Sequence, residues 1–301
     1  MSARTVAGHR IEVSHPDKPF FEGVTKSDVV DYYERIADRL LPHVAGRPLV
    51  LRRFPDGIGG QGFFQKNVPA STPEWIDRVE IATQDGGTTT YPVITDAAGL
   101  VHVAVQGAIE LHTLLAAAQE PARPVEVVFD LDPADEDLGP VRRTAARLRD
   151  VLQDVGVEPR VKSSGSRGLH VVVAVADRDV DFDATKQFAR SVARVVAREG
   201  GVTLEQRKSA RRGDLFLDVL RNAPVNHAVA PYSLRALPGA PVAVPLDWDE
   251  ALSSRFAPQR VTIGSVFRRL GQRADPWDRR ATPVRDLGAA IRRADELAGA
   301  Q

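Results

Sequence analysis

The stretch VEVVFDLDP, residues 125–133, decides how the rest of the chain is read. It is an apolar run of strand character that carries two acids, Asp130 and Asp132. Side chains alternate faces along a strand. Val127, Phe129 and Leu131 therefore share one face, and Val128, Asp130 and Asp132 share the other. Two residues along a strand span roughly 6.6 Å. At an effective dielectric of ~20, two carboxylates that far apart repel by about 2.5 kcal/mol. Burial raises the cost unless one carboxylate takes a proton or a cation sits between them. A divalent cation turns the repulsion into attraction. Pro133 ends the strand and leaves the acids at its exit. The plainer reading is a pair of solvated acids, with Asp132 capping the following loop.

Two further stretches bear on that choice. DLFLDVL, residues 214–220, sets Asp218 inside a second apolar strand. Three acids from two strands of one sheet would make an oxygen-rich cage suited to Mg²⁺ or Mn²⁺, which water and substrate phosphates usually complete. The alternative for Asp218 is a salt bridge to Arg221 or Arg207. KSSGSRGLH, residues 162–170, is a glycine-containing loop running into a strand. Small residues expose backbone N–H groups that can cradle an anion. Lys162 and Arg167 add charge, Ser164 and Ser166 add hydroxyls, and His170 stands where the next strand begins. The loop is not a Walker A motif, which ends in Gly-Lys-Ser/Thr. A plain glycine-rich turn is the competing reading. Taken with three acids, the loop suggests a metal-bound nucleoside triphosphate.

Outward from this centre, the spacing predicts a helix over 27–43, with Thr25 and Asp28 as a capping box or Ser27 as the cap, and Pro42 ending it. Strands are predicted at 48–54 and 88–94, and helical pieces over 97–118 broken near Gly107. A helix at about 140–154 stops at Gly156. Another spans 183–201, capped by Asp183 and stopped by Gly200 and Gly201. Residues 231–248 are proline-rich and extended, and the tail reads as a surface helix. The class is α+β. The expected organisation is an N-terminal lobe over 1–120, a catalytic lobe over 121–285 and a helical tail over 286–301.

The 301 residues suffice for one large domain or two modest ones with a full core. There is no cysteine, which excludes disulfides, thiolate zinc sites and a cysteine nucleophile. No signal-peptide core or run of ~18 apolar residues is present, so no membrane role is expected and the cytoplasm is the expected location. Forty basic and forty acidic residues cancel, so any electrostatic footprint for nucleic acid must be local.

FDLDP, SGSRGLH and the aspartate of FLDVLRNA resemble the three signature motifs of the archaeo-eukaryotic primase superfamily. They are more closely similar to the polymerase domain of bacterial ligase D, the end-joining repair ligase. GVTKSDVVDYY (23–33), GRPLVLRRFPDGIGGQGFFQK (46–66), GAIELH (107–112) and VAPYSLRALPGAPV (229–242) extend the resemblance over about residues 10–250. It implies a primase-polymerase-like core of β-sheets flanked by helices, with the N-terminal lobe packed on it. It also implies a nucleotidyltransferase that adds nucleotides, ribonucleotides preferred, to primer or gap 3′ ends.

By the resemblance, Asp130, Asp132 and Asp218 hold two divalent metals, Mn²⁺ favoured over Mg²⁺. One would activate the primer 3′-hydroxyl, and the other would bind the triphosphate and leaving pyrophosphate. Ser164, Ser166, Arg167 and His170 match the triphosphate loop, and Arg52, His112, Asn222 and Arg235 match nucleotide-site positions. Phe63 and Phe64 match a pair that meets the template, although core packing is the reading favoured without the resemblance. Lys18 and Lys26 match lysines that hold a downstream 5′-phosphate; alone, each reads as a solvated surface lysine.

Implied partners are DNA with a gap, overhang or broken end, nucleoside triphosphates, Ku and a DNA ligase, in a bacterial cytoplasm beside the nucleoid. The chain has Arg167 where the family usually has lysine. It shows no Lys-x-Asp-Gly ligase motif. Its initial methionine and helical tail point to a stand-alone homologue rather than an excised domain. The competing functional classes are a metal-dependent nuclease or phosphodiesterase, and a non-catalytic DNA-end binding module.

Overall fold

The computed structural model describes residues 2–83, 86–211, 213–279 and 281–299. The chain packs as two compact units. The first holds residues up to Pro121 together with His227–Ala243 and Val261–Val266. The second holds Ala122–Asn226, Val244–Arg260 and the chain from Phe267 onward. Residues 227–243 and 261–266, placed in the catalytic lobe from the sequence, thus pack with the first unit. Among the described residues no helix is long and apolar enough to cross a membrane.

The second unit is built on the strand Glu126–Asp132. It pairs antiparallel with Leu169–Ala174 on one side and with Leu215–Asp218 on the other. Arg160–Ser163, Pro245–Leu246 and Val202–Thr203 complete a six-stranded sheet among the described residues. The face bearing Val127, Phe129 and Leu131 is fully buried. The helices Gly139–Asp154 and Phe182–Ala197 cover that strand, with Phe129 and Phe188 meeting edge-on at 6.4 Å. Each such side chain contributes about 1.5–3 kcal/mol when fully buried.

The first of these helices starts at Gly139 with Pro140 in its opening turn and buries Val141, Ala145, Leu148 and Leu152 on one stripe. It stops before Gly156, whose φ of +82° only glycine adopts without strain. The N-cap of the second is Asp181, which accepts from the Ala184 N–H, and not Asp183. Asp183 lies inside the first turn, where its charge still suits the helix dipole. The tail helix Leu287–Gly299 buries Leu287, Ala290 and Ala294. It packs on Phe182–Ala197, with Asp295 accepting from Ser191 and Gln187.

The first unit carries a four-stranded sheet ordered His227–Val229, Ala108–Leu114, Leu49–Arg53, Phe63–Gln65. The strand Ala108–Leu114 overturns the expected helical piece after Gly107. Both of its faces are buried, including the one that carries Glu110 and His112. The helix before it, Ala97–Val105, ends where expected. Near the N-terminus, Thr25 caps Lys26–Arg35 in a capping box with Asp28. Pro42 does not end the next helix. It sits inside Ala37–Val44, which runs two residues further.

Gly168 shows how tightly the second sheet closes on its loop. A Cβ added there would stand 1.8 Å from the Leu131 carbonyl oxygen. Gly168→Ala is expected to cost about 1–3 kcal/mol of unfolding free energy, measured by urea denaturation. Unchanged stability would mean that the loop and the acid-bearing strand are not held at that distance.

Candidate functional site

The register places four polar side chains in one transverse row of the second sheet. Lys162 lies opposite His170, His170 opposite Asp130, and Asp130 opposite Asp218. Directly opposed residues point to the same face, so the row shares a face with Asp132 one step along. This is the face that the sequence left with two unexplained acids. Lys162, His170 and Asp130 are all nearly inaccessible to solvent.

Arg221 balances this charge. Its guanidinium lies 2.7 Å from Asp130 Oδ2 through both Nε and Nη2, and its Nε lies 3.6 Å from Asp218 Oδ2. The salt bridge to Asp218 offered as an alternative therefore exists, but its tighter half goes to Asp130. His170 Nε2 stands 3.3 Å from Asp130 Oδ1. Burial works to raise the Asp130 carboxyl, yet His170 and Arg221 outweigh it and hold it well below the usual range. Burial pushes His170 down to about 4, so near neutrality the imidazole is uncharged and Arg221 is the lasting countercharge.

The other two acids are less well served. Burial, and then the Asp130 charge, push Asp132 up to about 6, while Arg167 and Arg221 oppose the shift. Asp218 is raised by burial against the pull of Arg221 and a hydrogen bond from the Leu220 N–H. Three carboxylates thus share essentially one close guanidinium. Among the described residues no three His, Asp or Glu side chains are gathered as a closed ligand group, and Arg221 takes Oδ2 of Asp130. The donor set itself is carboxylate oxygen on one face, short of positive charge. It fits a hard divalent cation.

The loop 163–168 differs from its reading as an open anion cradle. Ser163 Oγ accepts the Gly165 N–H at 2.9 Å. Ser164 Oγ accepts those of Ser166 at 3.2 Å and Gly168 at 3.1 Å. These N–H groups are satisfied inside the loop, and Ser164 is buried. Ser166 is tied through its carbonyl to Gln259. Arg167 is the exposed group, 57% accessible, with Nη2 3.7 Å from Asp132 Oδ1.

Asn222 is also placed otherwise than expected. It is fully buried. Its Oδ1 accepts the Val128 N–H, and its Nδ2 donates to the Val128 and Val219 carbonyls, all at 2.8–2.9 Å. It braces the acid-bearing strand and has no face for a nucleotide. Its neighbour Arg221, read from the sequence as a salt-bridge partner of Asp218, is the one that reaches the carboxylates.

In the first unit, three sequence-selected residues converge on a fourth that was passed over. Glu110, the acid of GAIELH, is 1% exposed. It takes Arg52 Nη1, His112 Nε2 and the Ala236 N–H, each at 3.0 Å, and Arg235 Nε stands at 3.4 Å. Burial would raise its carboxyl, but the His112 hydrogen bond and the Arg235 and His112 charges bring it down to about 2. A buried acid between two arginine motifs was the available signal.

Tyr232 lies three residues before Arg235. Its backbone is held at φ +64°, a strained value for a non-glycine residue, and its carbonyl accepts the Tyr32 hydroxyl at 2.6 Å. Phe63 and Phe64 are 46% and 52% exposed, which overturns the core-packing reading. Lys18 pairs with Asp56 at 2.5 Å. Lys26 is buried, not a solvated lysine, and donates to the Ser14 carbonyl at 2.8 Å.

Comparison with known proteins gives a consistent picture. The family model described as LigD, primase-polymerase domain, matches residues 25–277. The multifunctional non-homologous end joining protein LigD of Mycolicibacterium smegmatis is 35% identical over 88% of this chain and 35% of its own length. LigD of Pseudomonas aeruginosa is 34% identical over 94% of this chain and 34% of its own. The chain thus spans about a third of the length of these curated relatives. A solved structure described as the polymerase domain from Mycobacterium tuberculosis ligase D in complex with DNA superposes with a TM-score of 0.83. It is 32% identical and covers 89% of this chain and 97% of that one.

Two expected outcomes test these assignments. Asn222→Ala should cost on the order of 2 kcal/mol or more in denaturant unfolding, because it strands buried groups of Val128 and Val219. Stability equal to wild type would return Asn222 to the ligand side. Glu110 is depressed in the folded state, so its contribution is present above about pH 4.5 and is lost as pH falls toward about 2. Glu110→Gln should remove about 3 kcal/mol of stability at neutral pH and flatten the stability profile between those values. An unchanged acid limb would refute the Glu110 hub.

Proposed function

Because the chain belongs to the LigD primase-polymerase domain family, we propose that it is a DNA-directed nucleotidyltransferase that fills gaps and extends 3′ ends in end-joining repair, ribonucleotides preferred. The observation that carries the reading is the row His170, Asp130, Asp218 with Asp132 beside it: three carboxylates on one sheet face, two of them raised by burial and by the neighbouring Asp130 charge. Two Mn²⁺ or Mg²⁺ ions held by Asp130, Asp132 and Asp218 would supply charge neutralisation of a triphosphate and a lowered pKa for the attacking 3′-hydroxyl.

The protein's own groups do the rest. Arg221 and His170 fix the direction of the Asp130 carboxylate and keep it charged at neutral pH. Arg167, more exposed than Arg221, is a fork-shaped donor for phosphate oxygens, which suits it to bind the triphosphate. In-line attack at the α-phosphate needs positioning and electrostatic stabilisation above all.

In the first unit Glu110 holds Arg52, His112 and Arg235 in fixed directions, which supports their role in handling the nucleotide. Phe63 and Phe64 offer exposed rings to template bases, a contact worth about 1–3 kcal/mol per base. Lys18 and Lys26 are assigned to a downstream 5′-phosphate. The substrates are nucleoside triphosphates and DNA with a gap, overhang or broken end. Ku and a DNA ligase are the partners kinship supplies, in the bacterial cytoplasm where the DNA lies.

Primer extension on a gapped template with Mn²⁺ and labelled ribonucleotides tests the reading. Wild type should extend, and Asp130→Ala or Asp218→Ala should lose more than about 100-fold in rate. No extension by wild type, undiminished extension by Asp130→Ala, or strand cleavage without nucleotides would each overturn it.

A further inference from the structure

One residue on the Glu110 face of the first sheet has no part in the account so far. Val229 lies opposite His112, so His227, two residues earlier on the same strand, shares that face. Its ring stands edge-on to His112, with centroids 4.9 Å apart and planes at 86°. It lies 5.6 Å from the Phe64 ring at 46°. Phe64 in turn meets His112 at 5.7 Å and 74°. His112 thus meets both other rings in the edge-on orientation that aromatic quadrupoles favour, while Phe64 and His227 are tilted to each other.

This cluster is open to solvent on the side of Phe64 and His227, which are exposed and half-buried respectively. Phe63 and Phe64 are the large apolar side chains left exposed among the described residues. Both have a guanidinium beside them: Arg53 lies 5.5 Å from the Phe63 centroid, and Arg52 lies 5.5 Å from that of Phe64. Flat π-surfaces flanked by two guanidinium groups match a nucleobase with its phosphate.

We propose that His227 extends the Phe64 ring surface on which an unpaired template nucleobase stacks, both rings being packed on the buried His112, and that His227 sets how tightly that base is held. The inference rests on the polymerase reading for the identity of the strand. His227 enlarges the ring surface beyond what Phe64 alone presents. A template base is met before it pairs, so the effect belongs to single-stranded overhang and not to duplex.

The test is anisotropy of labelled DNA without metal or nucleotide, comparing a duplex bearing a 5′ template overhang with the same duplex blunt-ended. His227→Gln keeps size and polarity but removes the ring, and His227→Phe keeps the ring. His227→Ala and His227→Gln should weaken overhang binding about 5- to 100-fold and leave blunt-duplex binding unchanged. His227→Phe should bind the overhang about as well as wild type. Thermal melting checks that each variant is folded, and the Gln and Phe pair decides the matter if the alanine variant is not.

Wild-type overhang affinity in His227→Gln would overturn the inference. So would a His227→Phe variant as weak as His227→Gln, because the role would then be polar and not stacking. Primer extension by the same wild-type sample separates this claim from the one beneath it. Failed extension with the overhang effect intact sinks the polymerase reading alone. Normal extension with no effect of His227 sinks this inference alone.

Discussion

A carboxylate buried in a sheet cannot be left uncompensated, and the second unit is arranged around that constraint. Asp130 is 4% exposed. Removing the partner of a buried charge typically costs 3–5 kcal/mol, so Asp130 ties its strand to the strand of His170 and to the turn that carries Arg221. Asn222, immediately after Arg221, locks its segment to Val128, two residues before Asp130. Gly168 lets the loop close onto Leu131, beside it. Packing on the helix-covered face sets the strand, and electrostatics on the other face set what surrounds it.

The first unit solves the converse problem. There a single buried anion, Glu110, gathers Arg52, His112 and Arg235. The second unit gathers three carboxylates about one close guanidinium. A chain with zero formal net charge therefore carries two local fields of opposite character. Both suit phosphate chemistry: one holds cationic groups in fixed directions, and the other is short of positive charge, which suits a divalent cation.

Much of this was legible from residue order. Alternation along 125–133 separates the two faces of the central strand, and the acids at 130, 132 and 218 do share one face. Other features depend on tertiary neighbours. Ala108–Leu114 is buried on both faces, so the alternation of Glu110 and His112 with Ile109 and Leu111 separates two covered faces and not core from solvent. The glycines and serines of 163–168 suggest free N–H groups, but the serine hydroxyls reach back and take them. A buried amide such as Asn222 looks like a ligand until its three partners are known. Glu110 lay within a quoted motif, and only the sheet register reveals that it faces Arg52 and stands two residues from His112 on the same side.

The central claim is that the acids on this sheet face bind divalent cations together. Mn²⁺ binding, followed by the EPR signal of the free ion, tests it most directly in wild type and in Asp132→Asn, which keeps size and polarity and removes one charge. The account predicts saturable Mn²⁺ binding by wild type, weakened more than about tenfold in Asp132→Asn, with both proteins equally stable. Equal Mn²⁺ affinity in the two proteins, or none in wild type, would contradict it.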